Sequence, residues 1–320
     1  MKLKKATGII VPFIVILLSA LSCNTAVKVA GGITDDLDRT INFDTIPQKV
    51  ISLAPSNTEI LFALGLDDSV VGISDFCDYP DQVNTRSALE DGAVGKIARV
   101  GNAFAVNIEA IVALNPDLVI GFGYNMPYYV EPLESQGLTV LILGPESIDD
   151  IMANIELVGT IMGIEKTAVE LTSQLRDDLA TITAKTALVS RPGVFCETGF
   201  GGGIWTTGSG SFVSNLVMLA GGTDIGVAVS KSNPNISMEY IVAANPDMII
   251  LADAPWVTPA DVKARGGAWD SLTAVQNNKI YEVVDANVVS RNGPRVVEGV
   301  MALLEIIHPD IYAELQEQTE

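Results

Sequence analysis

Residues 107–120 read NIEAIVALNPDLVI and residues 237–250 read SMEYIVAANPDMII. Eight of the fourteen positions are identical, although the copies start 130 residues apart. Such a repeat marks two copies of one supersecondary unit. Each copy sets a polar residue, Asn107 or Ser237, before a short apolar helical pattern. The pattern stops at Asn-Pro, because proline cannot continue the helix, and an apolar run then continues as a strand.

The text on either side carries the same alternation. KVISLA (49–54) reads as a strand and SNTEILFALG (56–65) as a helix, with Ser56 and Glu59 spaced as a capping box and Gly65 as its stop. VVGIS (70–74), DLVIGF (117–122) and TVLILG (139–144) are further strands. Helices alternating with apolar strands signal βα units on a parallel sheet. The second half repeats the plan with GVFCETG (193–199), a helix in GSFVSNLVMLAGG (210–222), KIYEVV (279–284) and a closing helix over 295–307. Between the halves, Ser147 to Gly163 forms one helix. A second begins at Glu165, with Ala168, Leu171, Leu175, Leu179 and Ile182 on one face. The fold class is therefore α/β: two similar lobes joined by a long helix, with a ligand cleft where the strand-end loops of one face those of the other. A helical link predicts little movement of lobe against lobe.

Composition narrows the partners. The chain has 320 residues, is 48% hydrophobic and carries a formal charge of −20. So acidic a surface repels phosphate backbones and excludes nucleic acid as a natural partner. At the N-terminus, Lys2, Lys4 and Lys5 precede an uncharged apolar run from Ala6 to Ser22 that has the shape of a signal peptide. It ends SALSC, a lipoprotein-like pattern in which Cys23 is the lipidated first residue; the other reading is an uncleaved anchor helix. Both readings place the body outside the cytoplasm, and loss of the three lysines leaves 16 basic against 39 acidic residues. The expected organisation is signal peptide 1–22, tether 23–45, first lobe 46–164, linking helix 165–187 and second lobe 188–320. Cys77 and Cys196 fall in different lobes and read as buried free thiols more readily than as a bridge.

Catalytic chemistry finds little support. Metal capture needs clustered His, Cys and carboxylates, and the lone His308, beside Pro309, reads as solvated. Hydrolysis by Ser or Cys needs a base beside the nucleophile. GFGGG (199–203) lacks the last glycine of a dinucleotide fingerprint, since Ile204 occupies its place, and reads as a flexible loop. Aromatic rings are the abundant feature of the strand-end loops: Phe76, Tyr79, Phe104, Phe122, Tyr124, Tyr128 and Tyr129 in the first lobe, with Trp205, Trp256 and Trp269 in the second. Rings on both cleft walls suit a broad, partly apolar ligand.

Three stretches, KVISLAPSNTEILFALGLDDSVVGISDFCDYP (49–80), NIEAIVALNPDLVIGFG (107–123) and RNGPRVVEG (291–299), together with the central helix, resemble the solute-binding proteins of ABC importers, in the branch for iron complexes and vitamin B12. The likeness covers nearly all of 49–315. It implies Rossmann-like lobes bridged by one rigid helix, no catalysis, no cofactor, no resident metal, and a monomer that hands a small molecule to a membrane permease. It also implies one exposed carboxylate per lobe for permease docking; by position these are Glu109 and Glu239, the third residues of the two repeats. Phe76, Phe122 and Trp205 fall on aromatic cleft positions of the vitamin B12 branch, and Phe104 lies one residue beyond another. Ser56, Tyr79, Tyr124 and Arg291 complete the expected ligand-facing set. Asn233 and Val288 depart from it, standing where relatives carry Trp. The implied cargo is a corrinoid, cobalamin or cobinamide; the alternative is a ferric siderophore or heme, although anionic siderophores require cleft Arg or Lys, of which there are few. An extracytoplasmic enzyme or a sensor on the same fold is the remoter reading.

Overall fold

The computed structural model describes residues 32–87, 97–102, 105–123, 127–230, 233–252 and 256–318. The first half comprises a hairpin of β1 (Ile33–Thr34) and β2 (Thr40–Ile41), then β3 (Val50–Ser52), α1 (Pro55–Ala63), β4 (Val70–Ile73), α2 (Asp81–Ser87) and β5 (Ala98–Arg99). A small hairpin of β6 (Gly101–Asn102) and β7 (Ala105–Val106) leads to α3 (Ile108–Leu114), β8 (Leu118–Phe122), α4 (Pro127–Glu134) and β9 (Val140–Leu143). The main strands pair in parallel in the order β5-β4-β3-β8-β9. Their residues are buried almost throughout, as expected for strands covered on both faces. From β3 the chain moves outward to β4 and β5, then returns past β3 to β8. The strand order thus reverses between β3 and β8, and sheets of this kind bind ligands beyond the carboxyl ends of their strands.

The chain then runs through α5 (Ile148–Ile161) and α6 (Glu165–Thr186) into β10 (Gly193–Phe200), β11 (Ile204–Thr206), α7 (Phe212–Leu219), β12 (Thr223–Asp224), β13 (Asn235–Ile236), α8 (Met238–Ala244) and β14 (Met248–Leu251). It finishes with α9 (Pro259–Ala264), α10 (Thr273–Gln276), β15 (Ile280–Glu282), α11 (Ala286–Ser290), α12 (Val296–Ile307) and α13 (Pro309–Glu317). The second sheet has the order β13-β11-β10-β14-β15, with β12 also paired to β10. Its β10, β14 and β15 are parallel, while β11 returns antiparallel through Gly201–Gly203. The glycine run is thus the turn of a β-hairpin.

The repeat solves one backbone problem twice. Asn107 accepts the N–H of Ala110 and Ser237 that of Tyr240, so each copy opens with a side-chain cap. Each helix closes on an asparagine in the left-handed region, Asn115 at φ 47° and Asn245 at φ 42°. Asparagine tolerates that region, and the following proline stops any return to helix. Asp117 then accepts the N–H groups of Gln48 and Lys49, and Asp247 accepts that of Gly193. In both lobes the repeat's aspartate holds the start of the adjacent strand, β3 or β10.

Helix α6 packs on both halves. A Cβ on Gly159 of α5 would stand 2.3 Å from that of Ala168, so glycine lets the two helices approach closely. Thr172 donates to Glu156 of α5 at 2.7 Å, while Thr186 donates to the carbonyl of Leu219 at the end of α7 at 2.9 Å. One buried apolar cluster runs through this seam, from Ile60 and Ile151 to Leu216 and Val300.

Three expectations are corrected. Residues 33–41, assigned to the tether, are a folded hairpin: Ile33 and Asp35 are buried, and Asp35 accepts the N–H of Ile142 in β9. Their lack of a hydrophobic period reflects strands too short to show one. Ser56 does not cap α1. The helix starts one residue earlier on Pro55, which suits the first helical position, and Glu59 is buried and committed elsewhere. His308 is partly covered, its Nε2 lying 3.2 Å from the carbonyl oxygen of Gly221. Neither Cys77 nor Cys196 forms a disulfide and both are buried, with burial raising the Cys77 thiol pKa against the contacts of Ser74 and Thr58.

Candidate functional site

The two sheets face each other across an open cavity of about 930 Å³. Phe122 and Gly123 at the end of β8 and Gly144 to Glu146 after β9 form one wall. Thr198 of β10, Gly210 to Val213 at the start of α7, Asn233, Ala252 and the segment around Ser290 form the other. The cavity lies beyond the carboxyl ends of β8, β9, β10 and β14, where an α/β sheet binds its ligand. Asp36 and Leu37, in the turn of the N-terminal hairpin, close one side.

The expected ligand-facing residues separate into groups. Phe122 lines the cavity, as does Asn233, one of the two positions that depart from the vitamin B12 branch. Phe76 and Trp205 are half-exposed rings on opposite lobes. Ser56 is buried at the lobe seam, where its Cβ lies 3.5 Å from the position a Cβ on Gly293 would take. Trp269 is buried against Phe195, with the Arg265 guanidinium 4.5 Å from its ring, and belongs to the core of the second lobe. Trp256 and Tyr128 are strongly exposed, and Val288 is buried. Phe104, Tyr124 and Cys23 lie outside the described residues.

Arg291 belongs to a network that the sequence reading did not contain. Its Nη1 lies 3.0 Å from Glu59 Oε1 and 2.6 Å from Asp78 Oδ1. Arg295 grips the same Glu59 with two nitrogens, Nε to Oε2 at 3.0 Å and Nη2 to Oε1 at 2.9 Å, and reaches Asp285 at 3.1 Å. The Tyr79 ring covers Arg295, its centroid 3.9 Å from the guanidinium carbon. Glu59 and Asp78 come from the first lobe and the two arginines from the second, so the network clamps the seam. Burial alone would push both guanidinium pKa values down; the hydrogen-bonded carboxylates prevail and hold them up. Burial, followed by the charge of Glu298, raises the Tyr79 phenol. Nearby, Asn292 donates to the Pro145 carbonyl at 2.6 Å, a further bridge at the cavity edge. The only sequence sign of this network was the pair of arginines in RNGPR.

Glu109 and Glu239 are exposed in the first turns of α3 and α8. The N–H of its own backbone and then the Ser237 hydroxyl hold the Glu239 carboxyl below its ordinary range. Among the described residues no helix is long and apolar enough to cross a membrane.

Residues 50–286, spanning both sheets and the cavity between them, match the periplasmic binding protein family model. The chain belongs to that family. An ABC transporter substrate-binding lipoprotein of Bacillus subtilis is 33% identical over 88% of this chain and 87% of its own. The periplasmic vitamin B12 binding protein of Vibrio cholerae has a solved structure that superposes with a TM-score of 0.66 at 26% identity, covering 84% of this chain and 98% of that one. A possible iron-binding, periplasmic solute-binding protein of Staphylococcus epidermidis gives a TM-score of 0.71 at 27% identity, over 82% and 100% of the respective chains. The family is one of transport binding proteins: the protein is an extracytoplasmic solute-binding component of an ABC importer, working with a small-molecule ligand and an importer permease.

Proposed function

We propose that this binding protein is lipid-anchored through Cys23, acts as a monomer and captures a corrinoid, cobalamin or cobinamide, for its permease. The observation that carries the reading is the cleft: about 930 Å³, open, and walled by Phe122, Phe212, Leu37 and Val289 together with neutral Ser, Thr and Asn side chains and, at its exposed edge, the carboxylates Asp36 and Glu146. No Lys or Arg is found among its described lining residues. Apolar walls with scattered neutral donors and acceptors suit a macrocycle edged by amides. Phe76 and Trp205, half exposed on opposite lobes, offer ring surface for the same cargo to cover. The vitamin B12 binding protein of Vibrio cholerae supports this reading.

The second reading is an iron complex, favoured by the likeness to the possible iron-binding protein of Staphylococcus epidermidis. A titration followed by Trp fluorescence and visible absorbance together separates them, with cyanocobalamin, aquacyanocobinamide, hemin and ferric siderophores as probes. A saturable corrinoid response with none for hemin or siderophore is expected. Tight hemin or siderophore binding without corrinoid binding overturns the corrinoid reading.

A further inference from the structure

The charge of the cleft points to the chemical form of its cargo. Two carboxylates line it, Asp36 on the N-terminal hairpin and Glu146 after β9, and both are exposed. Asp36 is held in place: its Oδ2 accepts the N–H of Gly144 and, at 3.0 Å, the amide of Asn154. The arginines beside the cleft are already spent, Arg295 on Glu59 and Asp285, and Arg291 on Glu59 and Asp78. Arg265, deeper in the second lobe, is paired with Glu197. The described lining therefore has negative charge and no cationic side chain to offset it, on a chain whose formal charge is −20.

Building on the corrinoid reading, we propose that Asp36 and Glu146 are specificity residues that select cargo by charge, favouring a cationic corrinoid without the nucleotide loop over one that carries it. The loop is joined through a phosphodiester, a fixed anion that the two carboxylates repel. A corrinoid lacking the loop presents a neutral alcohol there, and with water on one axial face of cobalt(III) its net charge is positive. Carboxylates at the mouth then attract the ring and raise its local concentration. Asn233 on the opposite wall adds neutral hydrogen-bonding capacity without countering the charge.

The test is a titration of the intact protein with aquacyanocobinamide and with cyanocobalamin, read by visible absorbance at low and high ionic strength. The expected result is tighter binding of aquacyanocobinamide, with a preference that shrinks as salt screens the carboxylates. Asp36→Asn with Glu146→Gln should reduce the preference by about tenfold. Because Asp36 also pins the hairpin, Glu146→Gln alone serves as the second variant and should move the preference in the same direction. If both corrinoids bind and neither variant changes their ratio, charge selection is overturned while the corrinoid reading stands. If neither binds, that reading falls and this proposal falls with it.

Discussion

Glu59 of α1 and Arg295 at the start of α12 are 236 residues apart in the chain, yet they form a two-pronged ion pair across the lobe seam. The Glu59 side chain is 1% exposed and that of Arg295 7%. Two charges taken this far out of water repay the cost only through mutual pairing and satisfied hydrogen bonds. The pair therefore contributes more to holding one lobe arrangement than to net stability.

Glu59→Gln leaves Arg295 and Arg291 buried with weakened partners. Unfolding in denaturant should show a loss of about 3 kcal/mol, the lower part of the range for a broken buried pair, because Asp285 and Asp78 remain. Glu59→Leu combined with Arg295→Met should cost less than Glu59→Gln alone, since it removes both members of the most buried pair and leaves Arg291 with Asp78. A double variant less stable than the single one would contradict the account of Glu59 as a clamp.

The left-handed asparagines give a second prediction. Asn115→Ala forces an alanine into φ 47° and should cost about 1 kcal/mol, whereas Asn115→Gly should be close to neutral. Asn245→Ala should cost about 2 kcal/mol, because Asn245 also exchanges two hydrogen bonds with Thr273 at the start of α10. Thermal melts of the three variants give the order directly, and equal costs for the two alanine changes would refute it.

Asp35 makes the hairpin acid-sensitive. Burial raises its pKa, but the Arg39 guanidinium and the N–H groups of Arg39, Ile142 and Leu37 outweigh it and hold the group below its ordinary 3.8. A carboxyl depressed in the folded state stabilises above its unfolded pKa, and that contribution is lost as pH falls through the folded value. Amide exchange at Ile142, corrected for its intrinsic pH dependence, should show weaker protection below about pH 4 than at neutral pH. Asp35→Asn should abolish that difference; a variant that kept the same pH profile would put the effect elsewhere.

What was legible in the sequence was what repeats or stays local. Asn-Pro-Asp is readable because helix stop, left-handed turn and strand clasp all lie within three residues. Strands such as VLIL in β9 are readable because both faces are buried and every position is apolar. Glu59 was misread for the same reason. Ser56 and Glu59 have the local spacing of a capping box, while the partners that decide Glu59 lie more than 200 residues downstream. The cleft was only partly visible. Phe122 ends a legible strand, but Asp36 and Leu37 reach the cavity from a hairpin of two-residue strands that has no periodic signature.

Phe122 tests the cavity itself. Its ring lines the wall at the end of β8 and is partly exposed there. Phe122→Ala should weaken the bound ligand by about 1 kcal/mol or more through lost stacking. Trp205→Ala provides the comparison from the opposite lobe and should show a loss of similar order if the cargo spans both rings. An unchanged dissociation constant for both variants would place the cargo away from these two rings.

The permease prediction rests on the two repeats once more. Glu109 and Glu239 occupy equivalent second positions of α3 and α8, both exposed, one on each lobe. A helix's first turn favours a carboxylate by about 0.3–1 kcal/mol without any partner, so fold stability alone could account for either glutamate singly. Docking differs in requiring both, because a permease that recognises the closed pair of lobes must touch each. Glu109→Lys with Glu239→Lys should therefore abolish uptake in cells while leaving ligand affinity of the purified protein unchanged. Each single reversal should give an intermediate loss of uptake. The helix-stability account predicts instead a small drop in melting temperature and normal transport. Normal uptake by the double variant would leave the carboxylates with only that local role.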